Sequence, residues 1–183
     1  YGRRRLGKTE LVKQSLRGRD DAVVYQARQK TKALQLDQFV SVAAETYPGI
    51  GRIQCDWEQL LGYLAEQDAI VVLDEFPYLI EEDESLPSVL QAMFDHELGG
   101  SGATFVLVGS SISMMEEAAL LGNSPLYGRA STKLDVRQLP FDAAMSFFDD
   151  LDPVEQVLRW GIFGGTPYYL EEAAGFDTLA AAV

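Results

Sequence analysis

The chain has 183 residues, 47% of them hydrophobic and 23% charged, enough for one globular unit with a sizeable core. Its 28 acids against 15 bases leave a net charge of −13, which excludes broad electrostatic adhesion to nucleic acid. The single cysteine, Cys55, excludes an internal disulfide framework; no apolar run reaches membrane-spanning length and no secretory signal is visible, so a reducing, cytoplasmic setting with no membrane partner is expected.

The basic residues are uneven: seven of the 15 lie between Arg3 and Arg19. That end opens with Tyr1-Gly-Arg-Arg-Arg-Leu-Gly-Lys-Thr9, which has the spacing G-x-x-x-x-G-K-S/T of a phosphate-binding loop. Gly2 and Gly7 permit backbone turns that a side chain would block. The amides between them can converge on phosphate oxygens, with Lys8 as a mobile cation and Thr9 as a hydroxyl for Mg²⁺. The chain opens at this loop without an initiator Met, and is expected to be a fragment lacking the strand that normally precedes it.

Lys8 to Leu16 then reads as a helix stopped near Gly18. Asp21–Gln26 is a β-branched run and is expected to be a strand. Ala33 to Tyr47 has near-helical apolar spacing and ends before Pro48. Asp56 can cap a helix over Trp57–Glu66. Ala69–Phe76 holds five successive apolar residues, as in a strand covered on both faces of a parallel sheet, and closes in the acids Asp74 and Glu75. Glu81 to Glu84 reads as an acidic loop. Ser85–Leu98 is an amphipathic helix, Gly99–Gly102 a turn, and Thr104–Ser110 a second apolar strand. Ser113–Leu121 is helical, 123–129 a loop, and Thr132–Leu139 alternates like an edge strand. Helices follow over Phe141–Leu151 and from an Asp152-Pro153 cap to Phe163, and another starts at Pro167. The order is that of an α/β parallel sheet flanked by helices over residues 1–140, with a helical attachment over 141–183.

Two acids at the carboxyl end of a parallel strand stand where such sheets bind ligands. Asp74 can serve the Mg²⁺ shell opposite Thr9, and Glu75 can polarise an attacking water. Ser110 ends the next strand, within reach of such a water or of the γ-phosphate. Arg129, in Pro125-Leu-Tyr-Gly-Arg129, is either a charge-stabilising guanidinium or one half of a surface salt bridge. The sequence has no Asn-Lys-x-Asp for guanine, and its one histidine, His96, excludes multi-histidine metal sites.

Gly2–Leu11, Leu73–Tyr78, Val108–Met115, Pro125–Ala130 and Phe163–Leu170 together resemble the predominantly archaeal ATPases of the AAA+/STAND-related P-loop group. The resemblance covers nearly the whole chain, with the motifs in family order. It implies ATP held by Gly2, Arg3, Arg4, Arg5, Leu6, Gly7, Lys8, Thr9 and Glu10, and Mg²⁺ served by Thr9 and Asp74. It implies Glu75 as catalytic base, Ser110 as a sensor of the γ-phosphate and Arg129 as an arginine finger, in cis or toward a second copy. The first strand would lie between those at 104–110 and 132–139. Segment 141–183 resembles a helical lid and the start of a winged-helix region. Two readings stay open: Mg²⁺-dependent ATP hydrolysis, or a nucleotide-dependent switch with little turnover that recruits DNA or a protein effector through a further C-terminal region.

Overall fold

The structure, a computed structural model, describes residues 1–96, 101–122, 124–176 and 178–182. Three parallel strands form its sheet: β1 (Ala22–Gln26), β2 (Ile70–Asp74) and β3 (Thr104–Leu107), in that spatial order. Val72 of the central strand faces Val24 on one side and Val106 on the other. The uninterrupted apolar run of β2 follows from that position, because helices cover both faces and neither face meets water.

Helices α1 (Lys8–Ser15), α2 (Lys32–Ala43), α3 (Trp57–Glu66), α4 (Pro77–Glu82), α5 (Leu86–His96) and α6 (Ile112–Met115) alternate with the strands. Asp56 caps α3 by accepting from the Gln59 amide at 2.9 Å. Leu60, Leu61 and Leu64 on the inner face of that helix are wholly buried with Phe39, Leu73, Phe76 and Leu90. Burying each such leucine contributes about 2 kcal/mol of transfer free energy. Further on come α7 (Phe141–Met145), α8 (Pro153–Phe163), α9 (Pro167–Ala174) and α10 (Leu179–Ala182). They pack around a separate small core of Ala144, Phe148, Leu170 and Ala173.

Five expectations are corrected, the first being the helix expected over Phe141–Leu151, which spans only Phe141–Met145 and gives way to turns. Glu81 and Glu82 lie in α4, not in a loop: Pro77 presets its first turn, Leu79 anchors it in the core, and Asp83 meets Lys32 at 2.7 Å. The helix expected to Tyr47 stops at Ala43, and Pro48 opens a 3₁₀ turn to Arg52. The helix expected over Ser113–Leu121 begins at Ile112 and widens into a π turn over Glu116–Leu120, closed by the Leu121 amide donating to Glu116 O at 2.8 Å. Finally, Thr132–Leu139 joins no ladder. Alternation alone does not make a strand; it needs a neighbour to satisfy its backbone along its length, and here the middle of the segment meets only Tyr1. The Tyr1 amine donates to Leu134 O at 2.8 Å, and the Val136 amide donates back to Tyr1 O at 2.7 Å. On the other side the Gly2 amide approaches Gly109 O at 3.4 Å. Tyr1 and Gly2 therefore lie between the end of β3 and the segment 132–139. An apolar cleft of about 610 Å³ runs on from Tyr1 between Phe105, Leu107, Leu126 and Leu134. The end of the helix expected to reach Leu98, and the first half of the glycine turn after it, lie outside the described residues.

Candidate functional site

The loop over residues 2–7 curls in front of α1 with three residues at positive φ, Gly2 at 152°, Arg5 at 67° and Gly7 at 80°. Gly2 is required on space as well as on angle, because a Cβ there would stand 2.3 Å from Val136 O. Gly7 is the residue before α1, and its carbonyl accepts from the Leu11 amide at 2.8 Å. The first α1 amides thus open toward the loop, where a helix N-terminus favours an anion. Leu6 turns inward and is buried, while Arg3, Arg4 and Arg5 are exposed.

Lys8 is buried, and its Nζ donates to the Arg3 carbonyl across the loop at 2.7 Å. Burial pulls its pKa below the usual lysine range and Arg4 adds to this, while Glu75 and Asp74 oppose it. An anion in the loop would give this ammonium a stronger partner than one carbonyl.

Thr9 and Asp74 meet across the gap between α1 and the end of β2. Thr9 Oγ1 donates to Asp74 Oδ2 at 2.7 Å, and Asp74 Oδ1 accepts from the Glu75 amide at 2.9 Å. Asp74 is 3% exposed, so both its oxygens are satisfied from within. Glu75 has φ 53°, unusual for a residue with a Cβ, and this turns its carboxylate toward β3. There Ser110 Oγ donates to Glu75 Oε2 at 2.7 Å and Oε1 at 2.9 Å, and the Ser110 amide approaches Oε2 at 3.3 Å.

The donor set suits a hard divalent cation: one hydroxyl and one carboxylate oxygen, adjacent, beside a loop built for phosphates. Among the described residues no group of three or more His, Cys, Asp or Glu side chains could hold a metal by itself. Mg²⁺, which takes one or two protein oxygens and completes its shell with phosphate and water, fits that set better than an ion needing an all-protein cage.

Arg129 points elsewhere. Its guanidinium makes a fork with Asp95 on α5, Nε to Oδ1 at 2.8 Å and Nη2 to Oδ2 at 2.6 Å. Its Nη1 donates to Pro125 O at 2.9 Å and to Tyr127 O at 3.3 Å. The salt-bridge alternative describes it as it stands, and Asp95 is held below the usual carboxylate range by that guanidinium. Glu10 is likewise turned away, accepting from the Gln14 side chain at 2.6 Å along α1.

The loop has contacts that the sequence did not assign. Arg4 Nη2 donates to Tyr78 Oη at 3.0 Å, and Arg5 Nη1 donates to Tyr169 Oη at 2.5 Å. Tyr169 lies inside Phe163–Leu170, one of the segments that carry the family resemblance, and that is the signal that could have drawn attention to it.

The profile of ATPase domains found predominantly in Archaea matches residues 1–173. The chain belongs to that family. A relative of this ATPase domain, an uncharacterized protein of Methanocaldococcus jannaschii, is 37% identical over 172 residues, 94% of this chain and 38% of the relative. The domain therefore spans well under half of that protein's length. The fold of the Walker-type ATPase of Pyrococcus abyssi is similar, with a TM-score of 0.71 at 17% identity, over 94% of this chain and 60% of that one. The parallel sheet flanked by helices is thus the fold of a P-loop ATPase. No helix among the described residues is long and apolar enough to cross a membrane.

Proposed function

We propose that this domain binds ATP and hydrolyses its terminal phosphoanhydride with Mg²⁺. The observation that carries the reading is the meeting of Thr9 with Asp74 at 2.7 Å, which brings the loop's hydroxyl and the acid of β2 to one spot. Gly2 to Gly7 would wrap the phosphates in amides, and Lys8 would exchange the Arg3 carbonyl for phosphate oxygens. Thr9 and Asp74 would hold Mg²⁺, directly and through water, and the ion would offset charge on the β- and γ-phosphates. Glu75 would take a proton from the attacking water, with Ser110 fixing the direction of its carboxylate. Residues 141–183 would act as the helical lid over this core of 1–140, and a DNA or protein effector would be reached through sequence beyond the domain. Arg129 would join catalysis, in cis or in a second copy, only after leaving Asp95.

One observation favours a second reading. Ser110 engages both carboxylate oxygens of Glu75, and if that contact stays closed with nucleotide bound it would keep the carboxylate from a water. The domain would then be a nucleotide-dependent switch. Phosphate release and ATP binding by wild type and Glu75→Gln decide between the two. Hydrolysis predicts that Glu75→Gln keeps ATP affinity and loses about a hundredfold or more in turnover. Tight binding with negligible release from both proteins supports the switch. Absence of ATP binding by wild type refutes both.

A further inference from the structure

Arg5 occupies a backbone conformation that a residue with a side chain rarely adopts, φ 67°, in the middle of the phosphate loop. Such a turn persists where neighbours hold it. The neighbours here come from the first turn of α9, more than 160 positions away. Tyr169 Oη accepts from Arg5 Nη1 at 2.5 Å. The guanidinium carbon lies 4.8 Å from the Tyr168 ring centre and 5.1 Å from that of Tyr169, within cation–π range of both. The Tyr168 amide approaches the Arg5 carbonyl at 3.4 Å. One residue of the loop is thus gripped by side chain and backbone together.

The gripping element is itself fixed to the end of the segment 132–139. The Leu139 amide donates to Gly165 O at 2.8 Å, and Gln138 Nε2 donates to Thr166 Oγ1 at 3.0 Å, just ahead of α9. Arg4, on the other flank, is held by Tyr78 of α4, three residues beyond Glu75. The loop therefore hangs between two tyrosines, one tied to the acid pair and one to the C-terminal helices. A cleft of about 770 Å³ opens beside Arg5, Tyr169, Thr166 and Gln138, so the grip sits at the rim of a space large enough for a small ligand.

We propose that Tyr169, with Tyr168 beside it, is a positioning residue for the phosphate loop: it holds the Arg5 turn in the shape that aims the loop amides at a triphosphate. The proposal rests on the ATP-binding reading above and adds the residues that link the loop to α9. Because coupling is reciprocal, a nucleotide that prefers the gripped loop also favours α9 docked against it. Neither tyrosine needs to touch the reacting atoms.

The test is a titration with a fluorescent ATP analogue in Mg²⁺, with phosphate release and limited proteolysis of α9, for wild type, Tyr169→Phe, Tyr169→Ala and Tyr168→Ala/Tyr169→Ala. Tyr169→Ala is expected to weaken binding by about tenfold, with turnover at saturation changed by less than about twofold. Tyr169→Phe keeps the ring and loses the hydroxyl; it should recover part of the affinity. Nucleotide should protect α9 from proteolysis in wild type and less so in the double variant. Affinities of all three variants within about twofold of wild type, with unchanged protection, overturn the proposal. Should Tyr169→Ala unfold, Tyr169→Phe decides, because it removes one hydrogen bond on an exposed ring: an affinity equal to wild type counts against the grip. Wild type that binds no nucleotide refutes the ATP reading instead, and this proposal with it.

Discussion

The Ser110 hydroxyl donates to both oxygens of the Glu75 carboxylate, at 2.9 and 2.7 Å. A carboxylate so held keeps one orientation, and a general base works only in the direction it faces. Ser110→Ala should therefore lower the rate at saturating ATP by about tenfold to a hundredfold and leave KM nearly unchanged. Steady-state phosphate release checks this. A faster Ser110→Ala enzyme would mean that Ser110 restrains Glu75, as the switch reading requires.

Thr9 and Asp74 touch directly, so neither should support Mg²⁺ without the other. Adding Mg²⁺ should tighten ATP binding by wild type, and Thr9→Ala and Asp74→Asn should each lose about tenfold or more of that gain. Calorimetric titration of ATP with and without Mg²⁺ measures it. A full Mg²⁺ response in both variants would place the ion elsewhere.

Lys8 is an ammonium that burial disfavours, so its pKa lies below the lysine range. The sign follows from proton counting. Between the lowered value and the ordinary one the unfolded chain binds more protons than the folded chain, so this residue makes stability rise with pH across that window. Below the window its cost is fully present. Lys8→Met should then flatten the rise between neutral and alkaline pH, keep or raise the melting midpoint near neutrality, and abolish ATP binding. Melting curves against pH, compared as differences between the two proteins, test it. A Lys8→Met protein that melts lower at neutral pH would show that the Arg3 carbonyl bond outweighs the burial cost.

Arg129 and Asp95 form a fork at the surface, where ion pairs add little. Arg129→Ala and Asp95→Ala should each move the melting midpoint by about 3 °C or less. Turnover per molecule of wild type should not rise with protein concentration. A rise that Arg129→Ala abolishes would show instead that the guanidinium leaves Asp95 to serve a second copy.

What could be read from the sequence was local. The Asp56 cap, the apolar run of β2 ending in its acid pair, and the glycines around Lys8 each have a cause within a few residues, and each stands as expected. Thr132–Leu139 shows the limit, since its alternation is real but a ladder depends on what lies beside it. Glu81 and Glu82 show another: their charge suggested a loop, while Pro77 and buried Leu79 made a helix. The pairing of Ser110 with Glu75 needed the register of β2 and β3, although both residues had been picked out separately. The hold of Tyr169 on Arg5 had no sequence signature of its own, because two exposed residues so far apart meet only through the packing of α9.

Arg159 has no exposed surface; it donates to Glu155 at 3.3 Å, to the Ala173 carbonyl and to Phe176 O at 2.8 Å. It fastens α8 to the far end of α9, so a shift of one should carry the other with it. α8 is 11 residues long, a rigid arm of roughly 16 Å. A dye attached at Val154, exposed at the outer tip of that arm, would magnify any tilt that begins at Tyr169 into a displacement easily followed by energy transfer.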